Sequence, residues 1–418
     1  MSLARNTLEQ AKENQHIHKA DGAENFENAI ISVIPKVLAQ LCRLKINVKI
    51  NVKKTFLPIF YASFRQGFSI SQTIEYLHEK RYETHSAKYI LDKIRQLNAK
   101  SLNEIFDCCR EVIFTALDKC GHKKRKCLIA IDYHDKPFYG DKKLGHIVGC
   151  KRKASTNFAH RYITACIVEE GIRFNLACLP ITLLDIEQDS LKKVIQLCRK
   201  YAEIGCLLLD KGFNSVANYK LLEDELQVKY IMPQQSNEKL KRLIESNKLS
   251  AYTLFEYVFN ENLAEEYRYG AKLFYIIADN GEKYTFVTNI NADNETLLKL
   301  IVQCYDKRWG IETGYRTESH FWCKTTSKSF NIRTFLGLLS FFLQDLWTFK
   351  NYLSHKKIGT HEPRAAKIIN SKTLAEFLTA VSEKLSFVWR PIQKALMFCE
   401  SCCDTIICKL KRAKLVSC

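Results

Sequence analysis

The sequence predicts an α/β fold in which helices cover a mixed sheet. Two short apolar runs, at residues 127–132 and 206–210, each end in an aspartate, and apolar runs of this length are typical of buried strands. Between them lie several stretches with strand composition and one stretch with helical spacing. An antiparallel meander followed by alternating helices and strands is therefore expected.

The elements of this sheet can be assigned in chain order. A turn is predicted directly after Asp132, at residues 133–140, and leads into a second strand. Further strands are expected at residues 147–150, 160–169, 172–181 and 229–233, with helices at 185–202 and 215–226. Glu170-Gly171 suggests a hairpin between two of the strands. This order is the ribonuclease-H-like pattern, in which the strand ends that carry Asp132 and Asp210 lie side by side.

A run from about Glu295 to Phe321 predicts one long helix with a polar stripe. Side chains three and four residues apart share a helix face, and the stripe consists of Tyr305, Arg308, Glu312 and Arg316. Ile301, Trp309 and Phe321 are expected to anchor the helix in a core. The carboxylate suits a divalent metal and the arginines suit phosphate oxygens. A plain Arg308–Glu312 ion pair on a solvated helix is the alternative.

Three carboxylates, Asp132, Asp210 and Glu312, form a candidate catalytic set. A lone aspartate at a strand end often only caps the next helix, and Asp135 is a rival close to Asp132. Three carboxylates in one cleft repel each other and need a cation. Two Mg²⁺ or Mn²⁺ ions held there would activate a water or a 3′-hydroxyl for phosphoryl transfer.

Charge and composition favour a nucleic-acid partner in a reducing compartment. The net charge of +19 and the pI of 9.2 favour a polyanion. No apolar run is long enough to span a membrane, and the polar N-terminus lacks a signal-peptide core. A cytoplasmic, nucleoid-associated protein without a membrane partner is expected. The 17 cysteines are expected to be mostly buried thiols; the cluster at 399–408 could bind a metal, although a helical segment is the favoured interpretation.

Outside the sheet, four regions are distinguished. A helical N-terminal DNA-binding domain is expected at 1–120, where two short helices beginning near Ser69 and Ser86 resemble a helix-turn-helix or form an ordinary helical pair. Another helix is expected at 28–48. The catalytic domain spans 121–232 and 290–350. It is interrupted at 233–289 by a β-rich insertion with a hairpin about Asn280-Gly281, whose aromatic residues fill a core or stack on DNA bases. A helical region with a basic tail at 409–414 follows at 351–418.

The sequence resembles the DDE cut-and-paste transposases of bacterial and archaeal insertion sequences. The order Asp132, Asp210, β-rich insertion, Glu312 carries the resemblance. One group of this family has a Tyr-x2-Arg-x3-Glu-x6-Lys signature, which Tyr305, Arg308 and Glu312 match. Ser319 stands at the position of the signature lysine, Arg316 stands where some members have an additional basic residue, and Lys324 lies further on. The segments 128–140 and 207–213 are also similar to the family's two aspartate boxes.

The resemblance implies a mechanism and partners. Asp132, Asp210 and Glu312 would bind two Mg²⁺ ions for cleavage at the element's end and transfer of the freed 3′-hydroxyl, in some members through a DNA hairpin. Tyr305, Arg308, Arg316 and Lys211 would bind DNA phosphates. The partners would be the terminal repeats, target DNA and a second copy of the chain in a homodimer. A nuclease of the same fold without strand transfer and a domesticated, non-catalytic DNA-binding protein are the alternatives.

Overall fold

The structure, a computed structural model, describes residues 52–64, 67–119, 124–169, 173–235, 237–246, 252–277, 281–292 and 294–358. Several predicted features lie outside the described residues: the helix at 28–48, the hairpin turn at Glu170-Gly171, the cysteine cluster at 399–408, the basic tail and the helices after residue 358. The chain divides into two compact units. One unit comprises Lys124–Glu169 with Arg173–Tyr315, and the other comprises Met1–Lys123 with Glu170–Ile172 and Arg316–Cys418.

The helices and strands are numbered in chain order. The helices are α1 Val52–Phe64, α2 Ile70–Glu79, α3 Ala87–Arg95, α4 Ala99–Lys119, α5 Glu187–Tyr201, α6 Val216–Lys220, α7 Glu238–Ser246, α8 Glu295–Asp306, α9 Trp309–Glu318 and α10 Phe330–Ile358. The strands are β1 Lys126–Pro137, β2 Val148–Lys153, β3 Thr156–Ile167, β4 Asn175–Ile181, β5 Glu203–Leu209, β6 Tyr230–Pro233, β7 Thr253–Phe259, β8 Tyr269–Ile277 and β9 Lys283–Thr288. Short 3₁₀ turns occupy Lys211–Phe213 and Ser319–Phe321.

A mixed sheet carries the core of the first unit, and this confirms the predicted α/β class. Its order is β2-β3-β1-β5-β6-β9-β8-β7, with β4 also paired to β3. β1 is antiparallel to β3 and parallel to β5, and β5 is parallel to β6. The central strands are buried on both faces, as Ile129, Ala130, Ile131, Leu207, Leu208 and Leu209 are all 0% exposed. Helix α5 packs against β3, β4 and β5.

The predicted turn after Asp132 is wrong, because β1 continues to Pro137. The apolar run ends at Asp132, but the polar residues beyond it remain paired with β3, from Asp132 opposite Thr164 to Pro137 opposite Ala159. Backbone pairing with an antiparallel neighbour does not require apolar side chains. The strand is therefore longer than its hydrophobic segment, and Asp132 lies in its middle.

Strands β7, β8 and β9 correspond to the stretch predicted as a β-rich insertion. β8 and β9 form the expected hairpin, with Ile277 opposite Lys283, although residues 278–280 of its turn are outside the described part. These strands extend the main sheet, since β9 pairs with β6. Phe274, Tyr275 and Phe286 are buried, as expected for aromatic residues that fill a core.

The predicted helix from Glu295 to Phe321 is interrupted. α8 ends at Asp306 and α9 begins at Trp309, with a tight turn at Lys307 and Arg308. The Lys307 N–H donates to Cys304 O at 3.2 Å and the Arg308 N–H donates to Tyr305 O at 2.8 Å, so hydrogen bonds across three residues replace the α-helical pattern. Ile301 and Phe321 are buried as expected, but Trp309 is 59% exposed and does not anchor a core.

In the second unit, the two short helices near Ser69 and Ser86 are present. Ser69 and Gln72 form a capping box at the start of α2, and the Ser86 side chain accepts from the Tyr89 N–H at the start of α3. Helix α10 packs against α3 and α4. Within the described residues, no helix is long and apolar enough to cross a membrane. DNA reading by α2 and α3 stays a prediction.

Candidate active site

Asp132 and Asp210 are neighbours because their strands are parallel and in register. Ile131 of β1 is opposite Leu209 of β5, the last paired position of the two strands. Each aspartate follows immediately. Beyond this level β5 gives way to the 3₁₀ turn Lys211–Phe213, whose N-cap is Asp210. The end of the parallel pairing, not the end of β1, thus places the two carboxylates at one edge of the sheet.

Arg308 brings three carboxylates together. Its Nη2 donates to Oε1 of Glu312 at 3.1 Å, and its Nη1 lies 3.6 Å from Oδ2 of Asp132 and 3.8 Å from Oδ1 of Asp210. The Arg308 residue is only 7% exposed. One buried guanidinium therefore lies within 4 Å of Asp132, Asp210 and Glu312, which come from β1, the turn after β5, and α9.

Tyr305 fixes the end of α8 against the second aspartate. Its hydroxyl donates to Leu209 O at 3.2 Å, one residue before Asp210. The Tyr305 ring lies 4.8 Å from the Phe286 ring of β9. Since the turn at Lys307 and Arg308 follows immediately, this contact helps to place the guanidinium beneath the carboxylates.

The carboxyl group of Asp132 has a strongly shifted pKa. Burial, with a further contribution from the neighbouring Asp210 carboxylate, raises the pKa of Asp132 to about 7, although Arg308 opposes the shift. The Tyr133 N–H donates to Oδ1 of Asp132 at 2.7 Å and holds the carboxylate in one orientation. The site therefore needs more positive charge than one guanidinium supplies if all three carboxylates are to be ionised near neutral pH.

The other residues singled out in the sequence take different positions. The rival carboxylate Asp135 is held by Arg161, whose Nε and Nη2 donate to it at 2.6 and 2.9 Å. Lys211 is exposed in the turn directly after Asp210. Arg316 is exposed on α9, four residues after Glu312. Ser319 is exposed, and its hydroxyl donates to Arg316 O at 2.7 Å.

A second layer of polar contacts, which the sequence pattern did not reveal, supports the aspartates. The Tyr133 hydroxyl donates to Oε2 of Glu187 at 2.9 Å, and Asn218 Nδ2 lies 2.7 Å from both Oε1 of Glu187 and the Phe213 carbonyl. The Tyr133 and Phe213 rings stack at 4.6 Å. Residues far apart in the chain thus join the strand of Asp132 to the turn of Asp210, and no local motif marks them.

Tyr315 braces the same strand from α9. Its hydroxyl lies 2.6 Å from the Thr164 hydroxyl, which in turn donates to the Asp132 carbonyl at 3.2 Å. The Tyr315 ring also stacks on His134 at 4.1 Å. The helix that carries Glu312 is therefore bonded to the strand that carries Asp132.

The three carboxylates fit a hard divalent cation, although in this structure the Arg308 guanidinium lies among them. Asp132, Asp210 and Glu312 offer only carboxylate oxygens, the ligands that Mg²⁺ and Mn²⁺ prefer. Burial, and after it the Asp210 carboxylate, raise the pKa of Asp132, so a cation beside Asp132 would stabilise its ionised form. Among the described residues, no three His, Cys, Asp or Glu side chains are already spaced as a metal site. A cation would thus require the carboxylates to draw closer together than they are around the guanidinium.

Comparisons with known proteins gave one family match and a similar solved structure. Residues 182–341 match the family model described as the transposase DDE domain. The fold is similar to that of a piggyBac transposase, solved by cryo-electron microscopy as a synaptic complex with hairpin DNA; the TM-score is 0.55 at 12% identity, covering 92% of this chain and 84% of that chain. No curated protein matches the chain significantly. Residues 182–341 thus match a transposase DDE domain, and the protein is an enzyme of DNA transposition that cleaves DNA and transfers the strands.

Proposed function

We propose that Asp132, Asp210 and Glu312 are the catalytic carboxylates with which this transposase cuts and joins the ends of an insertion sequence. The observation that carries the proposal is their convergence on one buried guanidinium, with all three within 4 Å of Arg308. Three carboxylates from three elements rarely meet around one buried side chain without a functional reason, because their mutual repulsion costs stability. The sheet order, with Asp132 in β1 and Asp210 directly after the neighbouring parallel strand β5, supports a ribonuclease-H-like catalytic domain.

The three carboxylates are proposed to hold two divalent ions, Mg²⁺ or Mn²⁺. When bound, these ions would supply activation of the attacking water or 3′-hydroxyl and stabilisation of the leaving oxygen. The Tyr133 N–H keeps Oδ1 of Asp132 in place, and Tyr305 holds the Leu209 carbonyl beside Asp210. These contacts orient the donors before any ligand arrives.

Arg308 is proposed to change partners as the site fills. Its guanidinium neutralises the carboxylates in the structure, and a cation that took over this role would release it towards a phosphate oxygen. Tyr305 belongs to the same phosphate-binding set. The exposed cations Lys211 and Arg316 are proposed to contact the phosphate backbone further from the cleaved bond.

The proposed partners are the terminal repeats of the element, target DNA and a second copy of the chain. The resemblance in the Tyr305-Arg308-Glu312 box implies a homodimer on paired ends, and a hairpin intermediate on the element end. Hairpin DNA is present in the solved piggyBac complex. In the cell, the enzyme would be associated with the nucleoid.

Cleavage and joining of a labelled duplex that carries the element's own end tests the proposal. Asp210→Asn removes one carboxylate without changing its size, and Asp306→Asn, an exposed aspartate at the end of α8, is the matched control. We expect metal-dependent cleavage and joining by the wild type and Asp306→Asn, and DNA binding without either reaction by Asp210→Asn. Full activity of Asp210→Asn would refute the assignment, and cleavage without joining would favour the nuclease.

A further inference from the structure

The loop between β4 and α5, residues 182–186, exposes three large aliphatic side chains. Leu183 is 62% exposed, Leu184 is 90% exposed and Ile186 is 59% exposed. We refer to these three residues as the apolar loop. Single exposed aliphatic residues are common, but three together are characteristic of an interaction surface.

The loop is internally braced, so its exposure is a feature of an ordered segment. Oδ2 of Asp185 accepts from the Thr182 N–H at 2.8 Å and from the Thr182 hydroxyl at 2.7 Å. The Leu183 N–H donates to Gly145 O at 3.1 Å and ties the loop to the segment before β2. The leucines are therefore held on a fixed support and present their side chains to solvent.

Folding alone gives no reason for this choice of residues. Ile186 is the N-cap of α5 and makes no side-chain capping bond, at a position where Ser, Thr, Asp or Asn would stabilise the helix. Leu184 is almost fully exposed, so it contributes little burial of its own. A binding role accounts for both departures from the residues that stability favours.

The loop lies at the sheet edge that carries the catalytic carboxylates. Ile181, the last residue of β4, is opposite Arg161 of β3, and Arg161 is opposite Asp135 of β1. Glu187, which follows Ile186 directly, accepts from the hydroxyl of Tyr133, the residue after Asp132. DNA held at the carboxylates would pass within reach of the apolar loop.

Exposed cations in the segment that binds the loop, and on the strand that follows this segment, favour DNA as the occupant of the loop. Lys142 and Lys143 lie in the segment whose Gly145 carbonyl binds the loop, and Lys151 and Arg152 lie on β2. Phosphates would satisfy these cations, whereas the aliphatic tips would meet the base faces between them. A protein interface would more often deplete lysine beside its apolar centre.

We propose that the apolar loop is a wedge that inserts against unstacked bases of the DNA end during cleavage. Aliphatic side chains are used in this way by proteins that distort DNA, because they replace the stacking that a separated base step loses. Leu184 would enter the step, and Leu183 and Ile186 would support it from both sides. The inference rests on the proposed function, since it takes Asp132, Asp210 and Glu312 as the position of the cleaved bond.

The test compares a fully paired duplex bearing the element's end with the same duplex carrying mismatches at the cleavage position. The variants are Leu184→Ala and Leu184→Met in the full chain, with Leu263→Ala as control, since Leu263 is 50% exposed on the connection between β7 and β8. We expect Leu184→Ala to slow single-turnover cleavage of the paired duplex by about tenfold or more, because the unstacking is no longer compensated. Leu263→Ala should cleave like the wild type, and Leu184→Met, which keeps a long apolar side chain, should cleave faster than Leu184→Ala.

Two readouts separate the wedge from other roles. Mismatches should restore cleavage by Leu184→Ala, and the fluorescence of 2-aminopurine placed at the cleavage position should rise on binding to the wild type but not to this variant. Equal loss on both duplexes, or loss of self-association in sedimentation, would overturn the wedge and indicate a protein contact instead. If Asp210→Asn cleaved normally, the catalytic assignment would fail, whereas the 2-aminopurine signal would still decide whether the loop opens DNA.

Discussion

Nη1 of Arg308 lies 3.6 Å from Oδ2 of Asp132, and both side chains are largely buried. Despite this contact the pKa of Asp132 is raised to about 7, because burial and the Asp210 carboxylate outweigh the guanidinium. The folded protein therefore holds a proton on Asp132 far more tightly than the unfolded chain does. Without a metal, the proton on Asp132 stabilises the folded site, and the stability of the protein therefore depends on pH.

The first prediction concerns the pH dependence of stability. Because the folded pKa of Asp132 is above its ordinary value of 3.8, this residue's favourable contribution is complete below pH 3.8 and is lost as the pH rises through about 7. A shift of about three pKa units corresponds to at most about 4 kcal/mol. In EDTA, Asp132→Asn should be more stable than the wild type at pH 8 and similar to it at pH 4, as measured by denaturant unfolding.

Asp135→Asn is the control for this experiment. Asp135 lies in the same strand but is paired with Arg161, so its loss should lower stability at pH 8. Addition of Mg²⁺ or Mn²⁺ should stabilise the wild type more than Asp132→Asn. The raised pKa of Asp132 would be contradicted if the difference in the free energy of unfolding between the wild type and Asp132→Asn were the same at pH 4 and pH 8.

The second prediction concerns the close approach of α9 to the residues that follow β3. A Cβ added at Gly310 would lie 3.1 Å from Cγ1 of Val168 and 3.5 Å from Nε of Arg173. Gly310→Ala should therefore displace the start of α9, which carries Glu312, and lower the free energy of unfolding by about 1–3 kcal/mol. Cleavage should fall as well, because the carboxylate moves relative to Asp132.

A second substitution distinguishes this steric effect from a general effect of alanine. Val168→Ala removes Cγ1, the nearest atom that the new Cβ would meet, and leaves Val168 Cβ at 3.2 Å. The double variant should therefore be less destabilised than the sum of the two single variants. Gly270→Ala on β8, where a Cβ meets nothing within 4 Å, should change neither the α9 position nor cleavage. Additive effects of Gly310→Ala and Val168→Ala would refute the steric explanation.

Much of this fold follows from local sequence signals, but the site geometry depends on distant contacts. The apolar runs before Asp132 and Asp210 predict the central strands, and the sheet confirms the meander and the alternation after it. The continuation of β1 to Pro137 has no apolar signal, since pairing with β3 maintains it. The turn at Arg308 likewise has no signal in the helical spacing. It lies between the Tyr305 hydrogen bond to Leu209 O and the place where the Gly310 backbone approaches Val168 closely.

In the candidate site, too, contacts between residues close in the sequence can be predicted, whereas contacts between distant residues cannot. The spacing of Arg308 and Glu312 predicts their contact, which survives the interruption of the helix because both residues lie in or beside α9. The role of Glu187 as acceptor for Tyr133 is not visible in the sequence, because 54 positions separate them. The apolar side chain of Trp309 predicts a core position, but Trp309 is the first residue of α9 and is exposed.

The third prediction tests whether Glu187 positions the catalytic strand through Tyr133. The hydroxyl of Tyr133 donates to Oε2 of Glu187, and the ring stacks on Phe213 in the turn after Asp210. Tyr133→Phe keeps the stack and removes the hydrogen bond, so it should lower stability by about 1 kcal/mol and reduce kcat more than KM for DNA. Glu187→Gln retains an acceptor and should be milder than Glu187→Ala.

A double-mutant cycle provides the control. Once Tyr133→Phe has removed the donor, Glu187→Ala should cost less than it does in the wild type, by the energy of the shared bond. Tyr267 is exposed on the connection between β7 and β8, and Tyr267→Phe should leave kcat unchanged. Independent effects of the two substitutions on kcat would show that Glu187 acts by another route.

The fourth prediction concerns Ser319, which stands where the signature of the resembling group has a lysine. Ser319 is exposed and its hydroxyl bonds only locally, to Arg316 O, so Ser319→Lys should fold normally. If this position faces DNA, the added charge should tighten binding and steepen the dependence of log Kd on log salt by about 0.9. Ser319→Gln supplies length without charge and should leave the slope unchanged. Equal slopes for the lysine and glutamine variants would place residue 319 away from the phosphate backbone.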